Sequence, residues 1–185
     1  MRPPVVASVV LASGLVAALA VAQSPSRSSA GRSCVQVEVS ASPGSPGRAP
    51  SPSAVVGTVP SFSATRILDL DFTVLFPAGL EGEHVVELRV FTPDSRLYRS
   101  LATPFAPGAQ PQAVRTVEGY ARPLPQQALT QVRRGRSSYA AASTKFPVGG
   151  TDIVSSGLYG RWRVEAYLDG AEQRCAPAAS FNLNP

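Results

Sequence analysis

Two aspartates separated by one residue form the first candidate site. Asp69 and Asp71 lie in the alternating stretch RILDLDFTVLF, so an extended backbone places both carboxylates on one face. Such a pair is suited to calcium binding or to glycoside hydrolysis. Calcium, however, takes about six to eight oxygen ligands, and no D-x-D-x-D-G loop surrounds the pair. Because the alternation itself requires polar residues here, a solvated strand face is the favoured interpretation, and a hydrolase using these carboxylates remains an alternative.

The single histidine, His84, is the next group with catalytic potential. A serine hydrolase needs a histidine beside a nucleophile held in a sharp turn, and the chain has no G-x-S-x-G motif. His84 follows EGE at the start of a predicted strand, which favours a surface histidine at a strand end. Phosphate loops, dinucleotide fingerprints and metalloprotease motifs are absent from the sequence. We therefore expect no catalytic residue, no bound metal and no cofactor.

The two cysteines, Cys34 and Cys175, predict a disulfide because an even count in an exported protein favours pairing. Export is indicated by the first 22 residues. A single positive charge at Arg2 precedes an apolar run that ends in Ala20-Val21-Ala22, the pattern of a signal peptide cleaved after Ala22. An uncleaved anchor remains the alternative. We expect a secreted or periplasmic protein with no stable membrane insertion after cleavage.

Arginines and tyrosines supply the candidates for binding. The formal net charge is +5, but the basic residues are scattered and the protein is predicted to be exported, so nucleic acid is not an expected partner. The RRGR cluster of Arg133, Arg134 and Arg136 favours a solvated loop, with contact to an anionic polysaccharide or lipid surface as the alternative. Exposed tyrosines would bind sugars by stacking. The candidates are Tyr98, Tyr120, Tyr139, Tyr159 and Tyr167.

Several short stretches of the chain alternate apolar and polar residues with a period of two, which predicts β-strands. After a flexible lead-in at 23–33, CVQVEVS is the first strand, and the Pro/Gly-rich loop 41–53 follows it. Further strands are predicted in RILDLDFTVLF, HVVELRVFTP, DSRLYRSLATPF and AASFNLN, with SSYAAASTKFPV extended. PLPQQALTQVRR predicts two turns of helix after Pro125, with Leu124, Ala128 and Val132 in line. In total, seven or eight short strands separated by turns indicate an all-β antiparallel sandwich formed by one domain, 34–185.

The stretch GRWRVEAYLDG, which holds the only tryptophan, divides its side chains between two faces. We predict that its apolar face is buried between the sheets and that Asp169-Gly170 forms a primed hairpin turn leading back along AEQRC. Only the outer face, with Arg161, Arg163 and Tyr167, remains open to a partner. The inward residues are Trp162, Val164, Ala166 and Leu168.

The segment FPVGGTDIVSSGLYGRWRVEAYLDG resembles the C-terminal half of secreted bacterial immunoglobulin-like domains, which share a G-x-W-x-V-x-x-Y-x-D-G run. The matching residues are Gly160, Trp162, Val164, Tyr167, Asp169 and Gly170. The resemblance implies an immunoglobulin-like sandwich and no established activity. Cys34 and Cys175 depart from the antibody pattern because they fall at first-strand and last-strand positions. These strands often pair in such sandwiches, so a disulfide between them is compatible with the fold.

Three functions follow as expectations. The first is an exported, non-catalytic module of the bacterial envelope or secretome that binds a protein or glycan or has a structural role. The second is a carbohydrate-binding module that uses the tyrosines and arginines. The third is a hydrolase of unknown type. Neither the partner nor the oligomeric state is determined by the sequence.

Overall fold

The computed structural model describes residues 34–42, 59–110 and 112–185. The predicted signal peptide, the lead-in 23–33 and most of the predicted loop 41–53 lie outside these ranges. Ala41, at the start of that loop, still belongs to the first strand. The strands are β1 (Gln36–Ala41), β2 (Ser61–Ser63), β3 (Asp69–Pro77), β4 (His84–Phe91), β5 (Leu97–Ala106), β6 (Val114–Arg115), β7 (Leu124–Pro125), β8 (Gln127–Ala128), β9 (Thr130–Arg134), β10 (Ser137–Pro147), β11 (Gly160–Leu168) and β12 (Ala179–Asn184), and one helical turn, α1 (Asp152–Ser155), lies between β10 and β11.

The strands form two main sheets that pack face to face. The first sheet has the order β1-β3-β10-β9, and the second has the order β2-β12-β11-β4-β5-β8, while β6 and β7 form a small separate pair. Among the described strands, the pairings are antiparallel except two short parallel ones at the edges of the second sheet, β2 with β12 and β5 with β8. Eight of the described strands have five or more residues, so the predicted all-β sandwich of seven or eight strands is confirmed.

Alternation along the strands builds the core, because a pleated strand directs successive side chains to opposite faces. In β3, Leu70, Phe72 and Val74 are fully buried, whereas Asp69 and Asp71 point outward. Aromatic side chains from the two sheets meet between them. Phe72 of the first sheet lies 5.6 Å from Phe181 of the second, measured between ring centroids. The hydrophobic core therefore lies between the two sheets and is formed by the inner face of each.

Trp162 is completely buried, as its position in the alternation predicts. Its ring lies 6.1 Å from that of Phe146 and 6.2 Å from that of Phe181, and its Nε1–H donates a hydrogen bond to the carbonyl of Leu158 at 3.0 Å. The one polar atom of the indole is thus satisfied inside the core, which removes most of the cost of burying it. Val164, Ala166 and Leu168 are buried on the same face of β11.

The predicted turn at Asp169-Gly170 and the predicted disulfide are both present. Asp169 and Gly170 have φ of 52° and 71°, the two positive values of a primed turn, and the amide of Ala171 donates to Leu168. The chain then returns along β11, where the amide of Cys175 donates to the carbonyl of Ala166 at 2.8 Å. The disulfide joins Cys34 to Cys175 across a Cα–Cα distance of 4.9 Å, so it links the entrance of β1 to the segment before β12.

The helix predicted after Pro125 is wrong. The segment contains β8 and β9, and Val132 of β9 lies opposite Tyr139 of β10. Three apolar residues in line are a weak helical signal, and hydrogen bonding to neighbouring strands outweighs it. The RRGR cluster is also not wholly a loop, because Arg133 and Arg134 belong to β9 and only Gly135 and Arg136 form the turn to β10.

The helical turn α1 follows Gly149 and Gly150. Thr151 caps it by accepting a hydrogen bond from the amide of Ile153, whose side chain is fully buried. No helical segment within the described ranges has the length and apolar character of a membrane span.

Candidate interaction surface

The outer face of the second sheet, turned away from the first sheet, brings arginines and aromatic side chains into contact. Strand pairing places β5, β4 and β11 side by side, so residues opposite one another form rows across the sheet. The rows are Leu97–Phe91–Arg163, Ser100–Arg89–Glu165 and Ala102–Glu87–Tyr167. We call this set the three-row surface.

Two arginines of the three-row surface lie over aromatic rings. The guanidinium carbon of Arg163 is 4.6 Å from the centroid of Phe91, and that of Arg89 is 4.2 Å from the centroid of Tyr167. Both distances fall within the range of cation–π attraction. Each guanidinium is therefore held against the sheet, which lowers the entropy that it would lose on contact with a partner.

Glu165 is the buried centre of the surface, with 8% of the residue exposed. Its Oε2 accepts the hydroxyl hydrogen of Tyr167 at 2.8 Å, and its Oε1 accepts from Nη1 of Arg174 at 3.3 Å. Nε of Arg163 lies 3.4 Å from the same Oε1 but makes no hydrogen bond, so that contact acts through charge alone. Two guanidinium groups thus compensate one buried carboxylate.

These contacts shift two protonation equilibria on the surface. The hydrogen bond from the Tyr167 hydroxyl to Glu165, together with burial and the carboxylate charge, raises the pKa of Tyr167 above its usual value. The hydrogen bonds from Arg89 to Glu87, at 2.8 and 3.3 Å, lower the pKa of Glu87. At neutral pH the Tyr167 phenol is therefore neutral and the Glu87 carboxylate is charged, which keeps Arg89 paired with Glu87.

An open cleft of about 570 Å³ lies at the Tyr167 end of the surface, next to the disulfide. Its lining is mostly the segment that returns from the Asp169-Gly170 turn. The lining residues are Tyr167, Glu172, Gln173, Arg174, Cys175, Ala176 and Pro177.

The structure brings together Arg161, Arg163 and Tyr167 on this face but exposes them unequally. Arg161 is exposed and, among the described residues, has no carboxylate within 4 Å; Arg163 is partly exposed. Only 8% of Tyr167 is exposed, because Arg89 covers its ring. Most of the accessible surface is therefore formed by the arginines and by Leu97, which is 55% exposed.

Arg133, Arg134 and Arg136 lie on the first sheet and do not join the three-row surface. Arg134 is engaged in a two-point ion pair with Glu38, with nitrogen–oxygen distances of 2.9 and 2.6 Å. Within the described ranges, the side chains of Arg133 and Arg136 are exposed and have no ion-pair partner. The six arginine and tyrosine candidates thus form two separate groups.

The carboxylates and the histidine considered for catalysis are not brought together. Asp69 and Asp71 lie on the outer face of the first sheet, where Asp71 is 3.8 Å from Nζ of Lys145. His84 instead contacts Asp169 through Nδ1 and the carbonyl of Glu81 through Nε2, both at 2.8 Å. A His–Asp pair also occurs in serine hydrolases, but there the other ring nitrogen faces the nucleophile. Across the described ranges, no group of three metal-ligating side chains is found.

The five tyrosines do not form a common platform in the described structure. Tyr98 packs edge-on against Trp162 at 5.2 Å, and Tyr167 lies on the opposite side of the same sheet. The hydroxyls of Tyr120 and Tyr159 donate to the carbonyls of Ser100 and Val154, each at 3.4 Å, in different loops. Tyr139 is on β10 of the first sheet.

Sequence reasoning missed Arg89, Phe91 and Leu97 as members of the surface. The period-two pattern places Arg89 on the polar face of its strand, but nothing in the pattern shows which strand lies beside it. Their assembly depends on the β4–β5 and β4–β11 registers, which are properties of the tertiary structure.

The chain was compared with protein-family models, with curated proteins and with solved structures, and none of the three comparisons finds a match. The case for function therefore depends on the geometry of this chain.

Proposed function

We propose that this protein is an exported, non-catalytic binding module of the bacterial envelope or secretome, with an immunoglobulin-like sandwich and a protein partner. The contact surface is the Leu97 end of the three-row surface. The observation that carries the proposal is the row in which exposed Leu97 adjoins Phe91, itself stacked against Arg163.

The composition of this row supports a protein partner. Interface centres are enriched in aromatic residues and arginine, and they need an apolar side chain that becomes buried on contact. Leu97 supplies that side chain, and Arg161 lies farther along β11 on the same face. Leu97, Arg161 and the stacked pair Phe91–Arg163 all lie on strands of one sheet, so little conformational entropy is lost on binding.

Export is supported by the disulfide and by the predicted signal peptide. A cross-link between residues 141 positions apart persists in an oxidising compartment, and such bonds are rare in reducing ones. The separation of Asp69 and Asp71 from His84 supports a non-catalytic role, since an acid–base site would need its groups in one cleft.

A capture experiment with matched variants tests the proposal. The chain without its predicted signal peptide, with its disulfide formed, is immobilised and exposed to the envelope and secreted fractions of the source cells. We expect a protein captured by the wild type to be lost with Leu97→Ser and with Arg163→Ala. Capture should persist with Val114→Ser, which alters a 63% exposed valine on β6, and with Arg66→Ala, which alters an exposed arginine between β2 and β3. Equal capture by all four variants would place the contact on another surface.

The cleft beside Tyr167 favours glycan binding as a second candidate. It presents Glu172, Gln173 and Arg174, whose polar groups suit sugar hydroxyls, next to an aromatic residue. The face of Tyr167 under Arg89 is unavailable for stacking, which makes this candidate weaker. A glycan array, followed by Gln173→Ala, tests it: a glycan that binds wild type and variant equally would not occupy the cleft.

A further inference from the structure

The free edge of β9 is a second surface, on the opposite sheet from the three-row surface and independent of the function proposed for it. Within the part of the chain that the structure describes, the order of the first sheet ends at β9, whose one strand partner there is β10. Its five residues are exposed except Val132, which is partly buried. An edge strand with unpaired backbone groups is a template for the addition of another strand.

The register of the β9–β10 hairpin identifies the free backbone groups. A two-residue turn, Gly135-Arg136, joins the strands, so the flanking pair Arg134–Ser137 is hydrogen-bonded. Hydrogen-bonded pairs recur every second residue, which directs the N–H and C=O groups of Gln131 and Arg133 away from β10. Among these four groups, the described structure gives a partner only to the carbonyl of Arg133, which accepts from Nη1 of Arg134 at 3.1 Å.

Charge along this edge selects the occupant. Arg133 and Arg136 are exposed and unpaired within the described ranges, and the carboxylate of Glu38 is already engaged by Arg134. A second copy of the chain pairing through β9 would bring the arginines of both copies onto one edge, where they repel. An extended segment with acidic side chains would instead place carboxylates opposite Arg133 while it completes the backbone ladder.

We propose that β9 binds an acidic, extended peptide segment by strand addition, with backbone hydrogen bonds at Gln131 and Arg133 and charge contacts at Arg133 and Arg136. The backbone bonds supply the geometry and the arginines supply the preference for acid. An anionic polysaccharide or lipid has no peptide backbone, so it would make the charge contacts with the arginines but not the backbone hydrogen bonds.

The probe is a blocked peptide of about seven residues that alternates valine and glutamate, and the matched control peptide has lysine in place of glutamate. We expect the acidic peptide to bind the disulfide-bonded chain, to bind more weakly as salt rises, and to protect the amides of Gln131 and Arg133 from hydrogen exchange. Arg133→Glu and Arg136→Glu together should weaken binding by about tenfold or more. The lysine peptide should not bind.

Two backbone changes separate strand addition from charge attraction. Gln131→Pro removes an outward N–H without touching the β10 ladder, so it should abolish binding and leave the melting temperature nearly unchanged. A peptide N-methylated on alternate residues tests the same bonds with the wild-type chain, in case the proline variant does not fold. The proposal is overturned if the acidic peptide fails to bind, if it binds without amide protection, or if the lysine peptide binds equally. It is also overturned if the chain dimerises through this edge, shown by sedimentation of a dimer that Gln131→Pro converts to monomer.

Discussion

Arg134 and Glu38 form a two-point ion pair although their strands are the opposite edges of the first sheet. Glu38 of β1 lies opposite Thr73 of β3, which in turn lies opposite Ser143 of β10. Arg134 of β9 lies opposite Ser137, near the other end of β10. On a flat sheet the two residues would be roughly 20 Å apart along the strands and about 14 Å apart across them, too far for their side chains to meet. The β9–β10 hairpin therefore coils back over the outer face of the first sheet.

Two residues are buried on the face of the first sheet that the alternation assigns to solvent. Leu75 and Ala141 point outward, yet each is only 1% exposed. An outward position on this sheet is therefore not always a solvated one.

We expect Glu38→Gln to lower the free energy of unfolding at pH 7 by about 0.5–1 kcal/mol, a modest value because Arg134 is half exposed. The hydrogen bonds from Arg134 lower the pKa of Glu38 below its usual value of 4.5. The stabilisation is therefore complete above pH 4.5 and is lost as the pH falls through the lower folded-state value. Urea denaturation across this range checks it.

The difference in stability between wild type and Glu38→Gln should thus shrink on acidification. Glu172→Gln is the control, because it alters an exposed carboxylate with no ion pair among the described residues. A difference for Glu38→Gln that stays constant down to about pH 2–3, well below the usual glutamate pKa of 4.5, would contradict the role assigned to the ion pair.

Trp162 reports directly on the core, since it is the only tryptophan. Full burial predicts a blue-shifted emission maximum and little quenching by iodide; emission typical of hydrated indole would contradict this position. Trp162→Phe should cost about 1–3 kcal/mol, because the carbonyl of Leu158 loses its donor inside the core. Tyr159→Phe, which removes a longer bond of 3.4 Å to Val154, should cost less.

The disulfide should stabilise the fold by constraining the unfolded chain. We expect Cys34→Ser combined with Cys175→Ser to lower the free energy of unfolding by about 2–4 kcal/mol. A reducing agent should destabilise the wild type to a similar extent and leave the double variant unaffected. Mass spectrometry of the native protein with and without reductant is the direct check, and finding two free thiols before reduction would rule the bond out.

The phenol of Tyr167 should lose its proton at a higher pH than an ordinary tyrosine, because Glu165 accepts its hydrogen bond and disfavours the phenolate. Glu165→Gln removes the carboxylate charge, so the pKa of Tyr167 should fall towards the usual 10.0. Ultraviolet difference spectra follow the titration, and Tyr167→Phe identifies which signal belongs to this residue. An unchanged titration in Glu165→Gln would mean that the two side chains are not coupled.

The local sequence pattern was sufficient where apolar and polar residues alternate clearly and where a glycine marks a turn. The burial of Trp162, the outward direction of Asp69 and the turn at Asp169-Gly170 follow from the pleat of a strand and from the backbone freedom of glycine. The pattern failed after Pro125, where the helical signal rested on three residues and the partner strands lie elsewhere in the chain.

The sequence alone determined the all-β class, most of the strands and the inner face of each, because side-chain alternation is a local property of extended backbone. Only the tertiary structure decided which polar residues meet. Arg89 stacks on Tyr167, His84 pairs with Asp169, and Arg134 reaches Glu38 because sheet order and register bring distant segments together. Those pairings depend on contacts between residues far apart in the chain, which no local pattern encodes.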